Sequence, residues 1–209
     1  MYLFFFVILF FILAQKTLKH KKFKGYLGEK YIQFLLFYSF DKNYKIINNI
    51  TLNDFLGSTT QIDHIILSPY GIFVLETKNY GGLIYANKYD KKWVQNINSK
   101  DYYFQNPIHQ NYKHIKVLEK LLTNHINLNK IYSLVIFSKR SSFVSNLPNG
   151  VYQGYSWIKF IKNHKHIYLS KKDLEQINQC IISAKLPSNL FTHRKHINNI
   201  KCHLDNLKN

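Results

Sequence analysis

Asp63, Glu76 and Lys78 are the residues whose types and spacing could do chemistry. The chain holds 11 acids against 29 Lys and Arg, so an acid inside an apolar run stands out. Asp63 sits among Ile62, Ile65, Ile66 and Leu67, and Glu76 follows Ile72, Phe73, Val74 and Leu75. Carboxylates beside such runs are costly unless they are paired or bound to a cation. Two close acids also raise one pKa unless a cation lies between them. A hard divalent ion, Mg²⁺ or Mn²⁺, suits oxygen ligands of this kind. Lys78 could orient or deprotonate an attacking water, or stabilise phosphorane charge. Together these are the parts needed for phosphodiester hydrolysis. The chemically silent reading is a buried ion pair of Lys78 with Asp63 or Glu76, and spacing alone leaves it open.

The elements that must position these residues are two strands and a tight turn. Gln61–Ser68 and Gly71–Asn79 read as strands joined by Pro69 and Tyr70. Their nearly unbroken apolar content suits strands buried on both faces. With a two-residue loop, Ser68 faces Gly71, and that register sets Asp63 opposite Glu76 with Cβ atoms about 5 Å apart. Side chains alternate along a strand, so Glu76 and Lys78 share a face at roughly 6–7 Å. A longer turn would slip the register.

Around the hairpin the pattern alternates. Gly25 to about Phe40 reads as an amphipathic helix through Leu27, Tyr31, Phe34, Leu35 and Tyr38. Residues 44–52 read as a strand and 53–60 as a loop. Gly81 and Gly82 break the chain, with short strands expected near 83–86 and 93–96. Pro107 opens a long helix with Ile108, Tyr112, Ile115, Leu118, Leu121 and Leu122 at helical spacing. Residues 131–138 read as a buried strand, 156–161 as a short helix and 171–184 as an amphipathic one. The order argues an α/β fold, a mixed sheet with helices on its faces.

The motifs GYLGEKYIQFLL, QIDHI, SPYGIFVLETKNYGG and FQNPIHQN occur in this order over roughly residues 24–140. In this the chain resembles the nuclease-related domain family (NERD), which is placed in the PD-(D/E)XK nuclease superfamily. The resemblance implies a restriction-endonuclease-like fold, a central mixed β-sheet flanked by helices. It implies that Asp63, Glu76 and Lys78 form the catalytic triplet, that Glu29 joins Asp63 and Glu76 as a metal ligand, and that Mg²⁺ or Mn²⁺ is the cofactor. Glu29 also reads as a helix-surface acid paired with Lys30 or Lys24. Gln61 shares the face of Asp63 and is expected at the substrate, whereas His64 points the other way as a structural residue. Gln105, Asn106, Gln110 and Asn111 belong to the FQNPIHQN signature. Asn106 suits an N-cap, and Gln110, one turn inside, suits a substrate contact.

The ends of the chain carry further expectations. Residues 1–14 hold no charge, and Lys16, Lys19, Lys21, Lys22 and Lys24 follow. A signal peptide wants its charges before the apolar run, and the many aromatics would crowd a core helix. The expectation is a single-pass membrane anchor over 1–18, a basic juxtamembrane segment over 19–24, and a nuclease domain over 25–186 on the cytoplasmic face of the cell membrane. A basic polar tail follows over 187–209. Its His193, His196, Cys202 and His203 lack a zinc-ligand spacing. Cys180 and Cys202 form no disulfide framework and fit a reducing compartment. The formal net charge of +18 suits a polyanion partner, nucleic acid and DNA first, although a coding bias towards Lys, Asn and Ile would leave the same composition. Trp93, Tyr102 and Tyr103 are candidates for base stacking. Two functions compete: a membrane-anchored, metal-dependent nuclease, and a non-catalytic tethered nucleic-acid-binding module or scaffold.

Overall fold

The structure is a computed structural model that describes Leu9 and residues 21–123 and 130–187. In chain order the elements are α1 (Lys21–Ser39), β1 (Lys45–Asn53), β2 (Thr59–Ser68), β3 (Gly71–Lys78), β4 (Gly82–Tyr85), β5 (Lys92–Ile97) and β6 (Lys100–Gln105). There follow α2 (Pro107–Leu122), β7 (Ile131–Phe137), β8 (Ser141–Phe143), β9 (Val151–Gln153), α3 (Ser156–Asn163) and α4 (Lys171–Ala184). The anchor over 1–18 and the tail over 188–209 lie outside the described residues, Leu9 aside. Among the described residues no helix is long and apolar enough to cross a membrane.

The main sheet has the order β1-β2-β3-β7-β9. The hairpin pairs antiparallel in the expected register, from Ser68 facing Gly71 to His64 facing Leu75. Gly71 has φ +135, where a Cβ would lie 2.8 Å from the Lys130 carbonyl oxygen, so the turn requires glycine. β3 then pairs parallel with β7, and β7 with β9. Parallel strands need both faces covered. On one face Ile65, Leu67, Ile72 and Val74 pack with Ile115, Leu118 and Leu122 of α2 and Ile177 and Ile181 of α4. On the other, Ile66, Phe73 and Leu75 pack with Ile32, Leu35 and Leu36 of α1 and Trp157 and Ile161 of α3. The doubly buried reading of the hairpin therefore holds residue by residue.

The single expected sheet is in fact two. A second sheet has the order β6-β5-β4-β8. β3 and β7 run parallel to their last residues, Lys78 beside Phe137, and β4 and β8 resume the pairing at Gly82 beside Ser141. Between them both chains turn together. Ser138 N donates to the Lys78 carbonyl at 3.2 Å and Gly82 N to the Arg140 carbonyl at 3.2 Å. The hydroxyls of Ser138 and Ser141 both donate to the Tyr80 carbonyl, at 2.6 and 3.0 Å. This stitched corner, Asn79–Gly81 against Ser138–Arg140, bends the strand pair from one sheet into the other. A third core of Ile84, Trp93, Val135, Phe137 and Val151 fills the bend.

Candidate active site at the corner of the two sheets

The candidate residues gather where β3 reaches that corner. Alternation continues past Val74, so Glu76 and Lys78 point to the α2 side. Lys78 Nζ donates to Glu76 Oε1 at 2.6 Å and to Gln110 Oε1 of α2 at 3.0 Å. Asp63 immediately precedes His64, the first β2 residue paired with β3, and its Oδ2 accepts the Thr77 backbone N–H at 2.7 Å. A side chain thus takes a strand N–H where the β2–β3 ladder ends. The other flank of Asp63 is irregular too. The β1–β2 ladder pairs Asn48 with His64 and Ile50 with Ile62, and Asn49 between them has φ 50. Asn tolerates this left-handed conformation better than most residues. Asp63 therefore sits where the pairing on both sides of β2 is interrupted.

Glu29 reaches the same corner from α1. Gly28 precedes it, and a Cβ on Gly28 would stand 2.4 Å from Asn79 Cβ. The missing side chain lets the helix close onto the end of β3. Glu29 is half-buried, and its pKa is raised by burial and by the charge of Glu76, against the pull of Lys78 and Lys30. Asp63 is raised well above the ordinary carboxylate value by burial and by the charges of Glu76 and Glu29, against the Thr77 N–H and Lys78. Two unit charges about 5 Å apart repel by about 3 kcal/mol at an effective dielectric near 20. Burial pushes Glu76 up as well, but Lys78 and His114 outweigh it and hold the carboxylate below its usual range. Burial works against the Lys78 ammonium, yet Glu76, Tyr80 and Asp63 hold its pKa above the ordinary lysine value. Lys78 is therefore protonated at neutral pH. It can donate and carry charge, and its raised pKa favours that role over deprotonating water.

His114 was not singled out in the sequence, and it completes the cluster. Its Nε2 lies 3.1 Å from Glu76 Oε2, and its Nδ1 lies 2.7 Å from the Thr60 hydroxyl. The two contacts hold the ring between the Thr60 hydroxyl and the Glu76 carboxylate. The signal was its place four residues after Gln110, on the same helix face. Tyr112 was expected on that buried face, but it is exposed because Asn111 and His114 occupy the stripe.

Other expectations resolve into structure. Asn106 caps α2, accepting from Ile108 N at 2.9 Å, and its Nδ2 donates to the carbonyls of Asn87, Lys88 and Asp90. Asn111 Nδ2 donates to Val74 O at 2.9 Å and to Ser133 Oγ at 2.8 Å, pinning α2 across β3 and β7. Gln61, expected at the substrate, is tied to β1: its amide donates to Asn49 Oδ1 at 2.7 Å. His64 is buried against Asn48 Oδ1 at 2.7 Å, and burial lowers its pKa to about 4, so it is neutral and structural as expected. Trp93 is fully buried with its indole N–H on the Asn87 carbonyl, so it cannot stack on a base, whereas Tyr102 and Tyr103 are exposed.

The fit to a divalent cation rests on charge and donor chemistry. Asp63, Glu76 and Glu29 supply hard oxygen donors, and the raised pKa values of Asp63 and Glu29 mark negative charge that Lys78 alone does not neutralise. Among the described residues there is no group of three or more acids, histidines or cysteines that could hold a metal ion. Mg²⁺ typically needs none, since it takes one or two carboxylates and completes its shell with water and substrate phosphate. Asp63 and Glu76 supply the one or two carboxylates that an open site of that type would use.

Known proteins share this sequence and its motifs to different extents. The chain is 35% identical over 169 residues to an uncharacterized protein of Bacillus anthracis, covering 79% of this chain and 78% of that one. A structural comparison pairs 78% of the chain with SfsA of Pyrococcus furiosus, solved in complex with Ca²⁺, at 14% identity and a TM-score of 0.28. The chain spans 53% of that protein. The family model of the nuclease-related domain matches residues 24–138, over half of the chain, and the match includes Glu29, Asp63, Glu76, Lys78, Gln110 and His114. The chain belongs to the nuclease-related domain family, NERD.

Proposed function

We propose that this protein is a nuclease that hydrolyses phosphodiester bonds of nucleic acid, DNA first, at the Asp63–Glu76–Lys78 corner with Mg²⁺ or Mn²⁺. The observation that carries the reading is the cluster itself: Lys78 bridges Glu76 and Gln110, Asp63 takes the N–H of Thr77 between Glu76 and Lys78, and the charges of Glu76 and Glu29 both act on Asp63. A bound divalent cation would supply Lewis-acid activation of the phosphate and a more acidic bound water. Asp63, Glu76 and Glu29 would hold it. Lys78, fixed by Glu76 and Gln110, places a permanent positive charge where a phosphorane oxyanion develops. His114 and Thr60 hold the Glu76 carboxylate from behind. The basic surface would gather the polyanion. We further propose that residues 1–18 tether this domain to the cytoplasmic face of the cell membrane.

A second reading has its own observation. Both carboxylate oxygens of Glu76 are already engaged, one by Lys78 and one by His114. Such a site could be a finished ion-pair network in a tethered nucleic-acid-binding module. A cleavage assay separates the two. The purified chain is incubated with DNA and RNA in Mg²⁺ or Mn²⁺, beside Asp63→Ala and Glu76→Ala. The nuclease reading expects metal-dependent cleavage that falls by at least about a hundredfold in either variant. Undiminished cleavage by the variants would remove Asp63 and Glu76 as the site, and no cleavage by the wild type with salt-sensitive binding retained favours the binding module.

A further inference from the structure

A cavity of about 230 Å³ lies at the C-terminal ends of β3 and β7, between α1 and the start of α3. Phe137 and Ile136 of β7 and Ile32 of α1 form an apolar floor. Tyr31 and Tyr155 close one wall, with their hydroxyls 2.6 Å apart. Lys78, Lys139 and Arg140 bring positive charge to the lining, and none of the lining residues is acidic. The charge of Lys78 is committed to Glu76, so Lys139 and Arg140 set the sign of the pocket. Both are held in place. Lys139 lies over the Tyr155 ring, with Nζ 4.3 Å from its centroid, and its stem passes so close to Gly154 that a Cβ there would stand 2.9 Å from Cε. Arg140 donates from Nη2 to Asn79 Oδ1 at 2.9 Å. Thr77 also lines the cavity, and its Oγ1 is buried with no hydrogen-bond partner among the described residues.

We propose that this cavity binds one nucleoside monophosphate unit, with its phosphate towards Lys139 and Arg140 and its base or sugar against the tyrosine and apolar walls. Size, sign and polarity each select for it. The volume is just under the roughly 300 Å³ at which drug-sized sites begin, enough for one small ligand and too little for a duplex. The cations select an anion, and guanidinium and ammonium groups are the usual phosphate partners. The floor and the tyrosines select an amphipathic ligand over a bare ion, and Thr77 Oγ1 offers an unused polar handle. Thr77 also gives its backbone N–H to Asp63, so the cavity and the acid cluster meet at one residue of β3. A strand end seated here would place the adjoining phosphodiester beside that cluster; this consequence rests on the nuclease reading, but the binding itself does not.

The test measures binding of adenosine 5′-monophosphate, adenosine, inorganic phosphate and a short 5′-phosphorylated oligonucleotide by calorimetry. It uses the full-length chain in EDTA, where a metal-dependent nuclease is silent. The nucleotide should bind at least about tenfold more tightly than adenosine or phosphate, and Lys139→Glu, at an exposed side chain, should weaken it by about tenfold or more. An oligonucleotide binding as well as the nucleotide points to a strand end, and binding of the free nucleotide alone points to a small-molecule ligand; both keep the pocket. Phosphate binding as tightly as the nucleotide, no nucleotide binding at millimolar concentration, or indifference to Lys139→Glu overturns it. Failure of cleavage in the earlier assay leaves this result untouched.

Discussion

Lys78 is held between Glu76 and Gln110 and keeps its proton tightly, which favours charge stabilisation over proton abstraction. Asp63 is its counterpart, because its position costs stability. Folding raises its pKa well above the ordinary 3.8, so the folded state holds the proton more tightly than the unfolded chain. The stability from that proton is fully present below about pH 3.8 and is lost as pH rises through the raised folded value. Above that raised value the ionised carboxylate costs stability unless a cation compensates it. Asp63→Asn keeps an acceptor for the Thr77 N–H and removes the charge. In metal-free buffer at pH 8 it should raise the Tm by about 2–4 °C, a gain of order 1 kcal/mol, and the gain should shrink towards zero at pH 4. A lowered Tm at pH 8 would mean that the carboxylate is already well compensated. The hairpin register and the shared face of Glu76 and Lys78 were legible from alternation and a two-residue turn, but the expected Asp63–Glu76 pair is not made: the ladder ends at His64 and Leu75, and Asp63 takes the Thr77 N–H instead. His114 was not, because a histidine on an amphipathic helix reads as surface, and the apolar count favoured Tyr112.

At the scale of elements, a glycine sets the distance between α1 and the site. Gly28→Ala would drive a Cβ into Asn79, and Asn79 holds Arg140 at the corner. The helix must shift outward and carry Glu29 with it. Gly28→Ala should lower cleavage by at least about tenfold, while Gly25→Ala, which meets nothing within 4 Å, should leave it unchanged. Equal rates for the two variants would take Glu29 out of the site. The long elements were legible because their periods are clean: α1, β2, β3, α2, β7, α3 and α4 all lie where apolar spacing puts them. Of the second sheet only β4 and β5 were legible, as the strands expected near 83–86 and 93–96; its other strands and its separation from the main sheet were not. β6 is an exposed edge strand, with Lys100, Asp101, Tyr102 and Tyr103 all exposed, so it shows no buried alternation. β8 and β9 have three residues each, too short to show any period. The Gly81-Gly82 break was visible, but nothing local reveals that two parallel strands turn there together.

At the scale of the whole molecule, the net charge of +18 must act through phosphate contacts if it serves function. Affinity for DNA should then fall by about ten- to a hundredfold between 50 and 200 mM salt, measured by fluorescence anisotropy. A flat salt dependence would leave the charge as a property of composition. If residues 1–18 are an anchor, the full chain should partition with membranes and a chain lacking them should not.

Whether Asp63 and Glu76 hold a divalent cation is tested most directly by titrating the metal-free protein with Mn²⁺ in a calorimeter. Saturable binding is expected at micromolar to millimolar concentration, weakened at least about tenfold in Asp63→Ala and falling as pH drops and Asp63 gains its proton. No binding by the wild type, or equal binding by Asp63→Ala, would contradict the metal site and leave Glu76, Lys78 and His114 as a closed ion-pair network.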